Sequence, residues 1–276
     1  MIKSPDMLTI DKKVFRSRLF TGTGKYPNLE VMQKSLLLSE SEMVTVAVRR
    51  VQALELGHQG LMEAISWSDV WMLPNTAGCS NADEAIRVAR LGRELAKVAG
   101  QEDNNFIKLE VIPDKRHLLP DPFGTLEAAE TLIKEGFTVL PYINADPLLA
   151  KRLEEIGCAT VMPLGSPIGS AQGIRNEANI GLIIENAKIP VVVDAGIGVP
   201  SEAAYAMEMG ADAVLVNSAI AMAQEPPLMA QAMAQAVQAG RKAFLAGRLP
   251  QRSQALASSP TSGIISQTIP KSSKGK

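Results

Sequence analysis

The chain has 276 residues, 46% hydrophobic and 21% charged, with a formal net charge of −1. That is ample apolar matter for a large core, too little charge for a disordered chain, and no broad basic surface for nucleic acid. No uncharged apolar stretch reaches the roughly 18 residues that span a bilayer, so no membrane segment is expected, and residues 1–6 lack the apolar centre of a secretory signal.

Short apolar runs bounded by turn residues recur along the chain, at residues 18–21, 44–48, 70–73, 106–112, 137–143, 159–164, 191–194 and 213–217. They are rich in Val and Ile and mostly continuous, as strands covered on both faces should be. Helix signals fall between them. Ser80 is placed to cap a helix ending near Gly100, and Gly136 closes another just before a strand. Asp146 and Pro147 open a helix as N-cap and first-turn proline, Gly157 closes it, and Gly210 closes a later one. From Pro227 onward, Leu228, Met229, Ala232, Met233, Ala236 and Val237 form a stripe at helical spacing that reads as core packing.

Strand alternating with helix implies parallel pairing through crossovers, and eight such units favour a single-domain (β/α)8 TIM barrel over residues 1–250. Residues 251–276 hold seven serines and four Lys/Arg with no acidic or aromatic residue, the composition of a disordered tail. Two cysteines, Cys79 and Cys158, and two histidines, His58 and His117, form neither a disulfide framework nor a metal-ligand spacing. No metal centre or cofactor is expected, and a reducing compartment, cytoplasm or plastid, fits best. Cys158, beside a buried strand, reads as an inert core thiol. Cys79, near a strand end, also reads as a packed thiol rather than a sulfur carrier.

Chemistry concentrates in the fourth run, Phe106-Ile107-Lys108-Leu109-Glu110-Val111-Ile112. Strand side chains alternate, so Lys108 and Glu110 share one face while Ile107, Leu109 and Val111 share the other. In a barrel the apolar set meets the helices and the charged pair enters the lumen. Burial there disfavours an ammonium and lowers its pKa, giving the neutral amine that Schiff-base chemistry on a carbonyl requires. Glu110 is placed to move protons or to hold the lysine charged between cycles. A structural buried ion pair is the plain alternative.

The seventh and eighth runs end in Asp194-Ala195-Gly196-Ile197-Gly198 and Asn217-Ser218-Ala219, the positions where barrels often bind phosphate. Gly196 and Gly198 let backbone N–H groups approach an anion, and Asn217 and Ser218 add donors. Leu164-Gly165-Ser166-Pro167-Ile168-Gly169-Ser170, after the sixth run, is a third glycine-rich loop. Asp194, at a strand end, is either a capping carboxylate or a proton-transfer group. Arg49-Arg50 and Arg175-Asn176 are further anion candidates, and Leu73-Pro74-Asn75-Thr76-Ala77-Gly78 is expected to line the pocket. A Schiff-base aldolase for another phosphosugar and a binding scaffold without turnover both remain open on these features.

These segments, with Phe20-Thr21-Gly22-Thr23-Gly24-Lys25-Tyr26 and Val44-Thr45-Val46-Ala47-Val48-Arg49-Arg50, resemble the bacterial and plastid thiazole synthases of thiamine biosynthesis across residues 8–250. The resemblance implies a barrel acting on 1-deoxy-D-xylulose 5-phosphate, with Lys108 forming the imine and Glu110 and Asp194 as acid–base residues. It implies Gly169, Ala195, Gly196, Asn217 and Ser218 as ligand-binding positions. It also implies sulfur from a thiocarboxylated sulfur-carrier protein, dehydroglycine from a separate enzyme, and a homo-oligomer such as a tetramer. Ser218 stands where the family more often has threonine, and Glu177 where it usually has proline.

Overall fold

The computed structural model describes residues 6–49, 60–256 and 258. Arg50, His58 and most of the serine-rich segment fall outside that set. The chain divides into a compact unit through Ala246 and a second unit from Gly247. In the second, the described residues 247–256 and 258 carry neither helix nor strand.

The first unit opens with an antiparallel hairpin, β1 (Leu8–Ile10) and β2 (Lys13–Phe15). Eight parallel strands follow: β3 (Leu19–Gly22), β4 (Met43–Ala47), β5 (Trp71–Asn75), β6 (Phe106–Leu109), β7 (Thr138–Ile143), β8 (Met162–Pro163), β9 (Val192–Asp194) and β10 (Ala213–Leu215). Their order is β8-β7-β6-β5-β4-β3-β10-β9. Parallel bridges Val161–Val191 and Leu164–Asp194 join the two ends, and the Gly165 N–H donates to the Asp194 carbonyl at 2.9 Å. The ring is closed, and the fold is a (β/α)8 TIM barrel. All eight expected runs supply its strands.

Among the described residues the helices are α1 (Leu29–Ser39), α2 (Leu61–Ala64), α3 (Ala82–Val98), α4 (Pro122–Lys134), α5 (Pro147–Glu155), α6 (Glu177–Asn186), α7 (Pro200–Glu208), α8 (Ser218–Ala221) and α9 (Pro226–Ala246). Asp146 caps α5, accepting from the Leu148 and Leu149 N–H groups. Gly136, Gly157 and Gly210 all have positive φ, the left-handed stop expected of them. Two local expectations are corrected. The α3 cap is Asn81, which accepts from the Glu84 N–H, while Ser80 instead donates to the Glu84 carboxylate. The buried stripe of α9 is Ala230, Met233, Ala234, Val237 and Gly240, so Leu228 is left exposed. The face shifts because α9 packs closely on both α7 and α1.

The hairpin decides where a site can be. Leu8, Ile10 and Phe15 pack with Phe20, Met43, Leu73, Phe106, Leu140, Met162, Val192 and Ala213 in one buried cluster. Those eight residues come one from each barrel strand, so the hairpin plugs the ring at its amino-terminal end. The outward set Ile107, Leu109 and Val111 packs against Ala85, Ile86 and Ala89 of α3 and Ala128, Ala129 and Leu132 of α4. Lys108 and Glu110 are thereby turned into the lumen, as the alternation predicts. Only the carboxyl-terminal end of the ring is left to open.

Candidate active site

At that end lies a cavity of about 830 Å³, with Lys108, Glu110 and Asp194 among its walls. All three side chains are buried. Lys108 Nζ donates to Glu110 Oε1 at 3.0 Å and sits 2.7 Å from Asp194 Oδ2. The second contact is an ion pair. The ammonium also lies 5.4 Å from the centre of the Tyr142 ring.

The backbone holds these groups in place. Glu110 follows the last residue of β6 and is clamped by Thr76, whose hydroxyl accepts from the Glu110 N–H (2.7 Å) and donates to its carbonyl (2.8 Å). Asp194 ends β9 and is fixed by the ring-closing bridge to Leu164.

Of the two expectations, a neutral amine and one held charged by Glu110, the electrostatics favour the second. Burial alone would lower the Lys108 pKa, but the charges of Asp194 and Glu110 outweigh it and hold the ammonium well above the ordinary lysine range. The same cluster raises Asp194, chiefly by burial and against the pull of Lys108. The two causes differ: the carboxylates raise Lys108 against burial, whereas burial raises Asp194 against Lys108.

The residues expected to form an anion cradle, Gly169, Ala195, Gly196, Asn217 and Ser218, line the same cavity. Ala195 and Gly196 have φ of +61° and +78°. A Cβ on Gly196 would fall 1.9 Å from Ser166 Oγ, so glycine is required there for the loops after β8 and β9 to meet. Asn217 donates to the Gly24 carbonyl at 3.1 Å, tying the loop after β10 to the loop after β3. Of the segment expected in the wall, Asn75, Ala77 and Gly78 line it, while Leu73, Pro74 and Thr76 do not.

Other candidates are spent elsewhere. Arg49 is engaged by the Gly78 carbonyl and Glu84, Asn176 caps α6, and Arg175 is outside the lining. His117 pairs with Asp114 in an exposed loop. Cys79 and Cys158 are buried outside the cavity lining, and burial pushes their thiols up to about 11 and about 12, which makes them poor nucleophiles. Sequence reasoning missed Thr45 and Ala47, which alternate on β4 and enter the cavity. The same two-residue spacing that exposed Lys108 and Glu110 could have found them.

Barrel enzymes place their chemistry at this end, where strand-end loops converge, and the chain is built as one of them. Residues 9–260 match the family described as thiazole biosynthesis protein ThiG. A thiazole synthase of Prochlorococcus marinus is 76% identical over 264 residues, covering 96% of each chain. The bifunctional protein ThiO/ThiG of Synechocystis is 73% identical, covering 95% of this chain and 40% of that protein. Among solved structures, the Amycolatopsis orientalis BexX/CysO complex superposes with a TM-score of 0.79 at 35% identity, covering 90% of this chain and 98% of that one. The chain belongs to the thiazole synthase family, sulfur-transferring enzymes of thiamine biosynthesis.

Proposed function

We propose that the cavity takes up 1-deoxy-D-xylulose 5-phosphate and that Lys108 joins its ketone as an imine. The observation that carries this reading is the Lys108 amine held between two carboxylates at the inner end of a cavity whose other wall is a glycine cradle. Gly169, Ala195, Gly196, Asn217 and Ser218 hold the phosphate, through backbone N–H groups and the side chains of the last two. The ammonium first yields a proton to Asp194, whose raised pKa suits it to accept one. The freed Nζ attacks the carbonyl carbon, a C–N bond forms, and the former carbonyl oxygen leaves as water after proton transfer from the carboxyl groups. Glu110 and Asp194 then move the protons that shift the carbonyl along the sugar chain.

Sulfur enters from the thiocarboxylated C-terminus of a small sulfur-carrier protein, and dehydroglycine from a separate enzyme supplies the remaining ring atoms. The solved BexX/CysO complex supports a protein partner at this fold. The enzyme works as a homo-oligomer, a tetramer, in the cytoplasm or plastid. A Schiff-base aldolase for another phosphosugar shares the lysine, but the family match over residues 9–260 favours thiazole formation.

Reconstitution tests the reading. With deoxyxylulose phosphate, thiocarboxylated carrier and a dehydroglycine source, the wild type forms thiazole phosphate and Lys108→Ala forms none. Product from the alanine variant at the wild-type rate would overturn it.

A further inference from the structure

Lys25 stands in the loop after β3 with φ +71°. That left-handed backbone strains any residue bearing a Cβ, and glycine would relieve it. A lysine here therefore calls for a use of its side chain. The residue lines the same cavity as Lys108, and its Nζ lies 3.6 Å from where a Cβ on Gly169 would stand. Its loop is fastened to the cradle through the bond from Asn217 to the Gly24 carbonyl. Asn217 Oδ1 is itself buried with no partner.

Charge balance narrows the use. The charged residues described in the lining are Lys25, Lys108, Lys115, Glu110 and Asp194. Lys108 is consumed by its two carboxylates, and that cluster repels a second anion. Glycine amides offer dipoles but no net charge. Lys115 follows β6, whereas the cradle loops follow β8, β9, β10 and β3. Among the described residues Lys25 has no ion pair.

We infer that Lys25 is the cation that neutralises the phosphate of the substrate, and so the residue that selects a phosphorylated sugar over its unphosphorylated form. The inference rests on the phosphosugar reading above.

The test measures borohydride capture at Lys108 against the concentration of deoxyxylulose phosphate and, separately, of unphosphorylated deoxyxylulose, in the wild type, Lys25→Gly, Lys25→Arg and Lys115→Gln. Lys25→Gly should melt no lower than wild type because its backbone strain is relieved. Its half-saturating concentration for the phosphorylated sugar should rise at least about tenfold, the loss of one charge-assisted contact, with the unphosphorylated sugar little changed. Lys25→Arg should recover most of the loss, and Lys115→Gln should show little of it. Unchanged saturation by the phosphorylated sugar in Lys25→Gly, equal weakening of both sugars, or an equal effect of Lys115→Gln would overturn the assignment. A wild type that captures neither sugar would remove the phosphosugar reading, and the Lys25 assignment with it.

Discussion

Lys108 Nζ on β6 and Asp194 Oδ2 at the end of β9 lie 2.7 Å apart inside the lumen, brought together only by closure of the strand ring. The charges of Asp194 and Glu110 hold the resting lysine as an ammonium, so the proposed imine chemistry begins with a proton leaving it. Glu110→Gln and Asp194→Asn each remove one negative charge, which lowers the Lys108 pKa. Each also removes a proton carrier, worth about 10²–10⁴-fold in rate. Turnover should fall by that order in both variants, and the alkaline limb of the capture-rate profile should move to lower pH. A profile that stays in place would show that the carboxylates do not set the lysine's charge.

Gly196→Ala asks for a Cβ 1.9 Å from Ser166 Oγ and 2.5 Å from Ser166 N, at φ +78°. The two loops must separate, at a cost of about 1–3 kcal/mol. Chemical denaturation should show that loss, and the half-saturating substrate concentration should rise with it.

Phe15→Ala tests the hairpin plug. Phe15 is 1% exposed and packs edge-to-face with Phe20, ring centres 6.2 Å apart. Removing it should cost about 3–5 kcal/mol in urea unfolding, as for a large aromatic in a rigid core. A loss below about 1 kcal/mol would mean that the end of the barrel can collapse to fill the space.

Asp6 bridges the buried Arg18 and Arg241. The hydrogen bond from Arg241 leads in lowering its pKa below 3.8, with both arginine charges adding. A carboxylate whose folded value is depressed stabilises the fold above its unfolded value and loses that effect as pH falls through the folded one. Because the Asp6 side chain is about a third exposed, Asp6→Asn should cost only about 1 kcal/mol at pH 7. The difference from wild type should shrink as pH drops below 3.8.

The barrel was legible because each of its strands is an apolar run with turn residues at its ends. The β1–β2 hairpin was not, since Leu8–Ile10 and Lys13–Phe15 are three-residue strands around a polar turn and take their meaning only from the eight lumen residues they cover. The cavity lining was readable from Lys108 and Glu110 alternating on one strand and from glycines after the last strands. The neutral Lys108 amine read from burial alone gives way to a charged one for a definite reason. Its own strand shows one carboxylate, while the second arrives from β9, and two partners reverse the sign of the shift that burial alone would give. Ser80 and Asn81 are adjacent cap formers, and sequence alone does not say which one supplies the accepting oxygen.

The most direct measurement is borohydride reduction of the wild type with deoxyxylulose phosphate, followed by peptide mass mapping. One sugar-phosphate adduct on the peptide holding Lys108, absent from Lys108→Ala, is the outcome expected of an imine-forming lumen lysine. Adduct on another lysine, or none while thiazole phosphate is still produced, would contradict it.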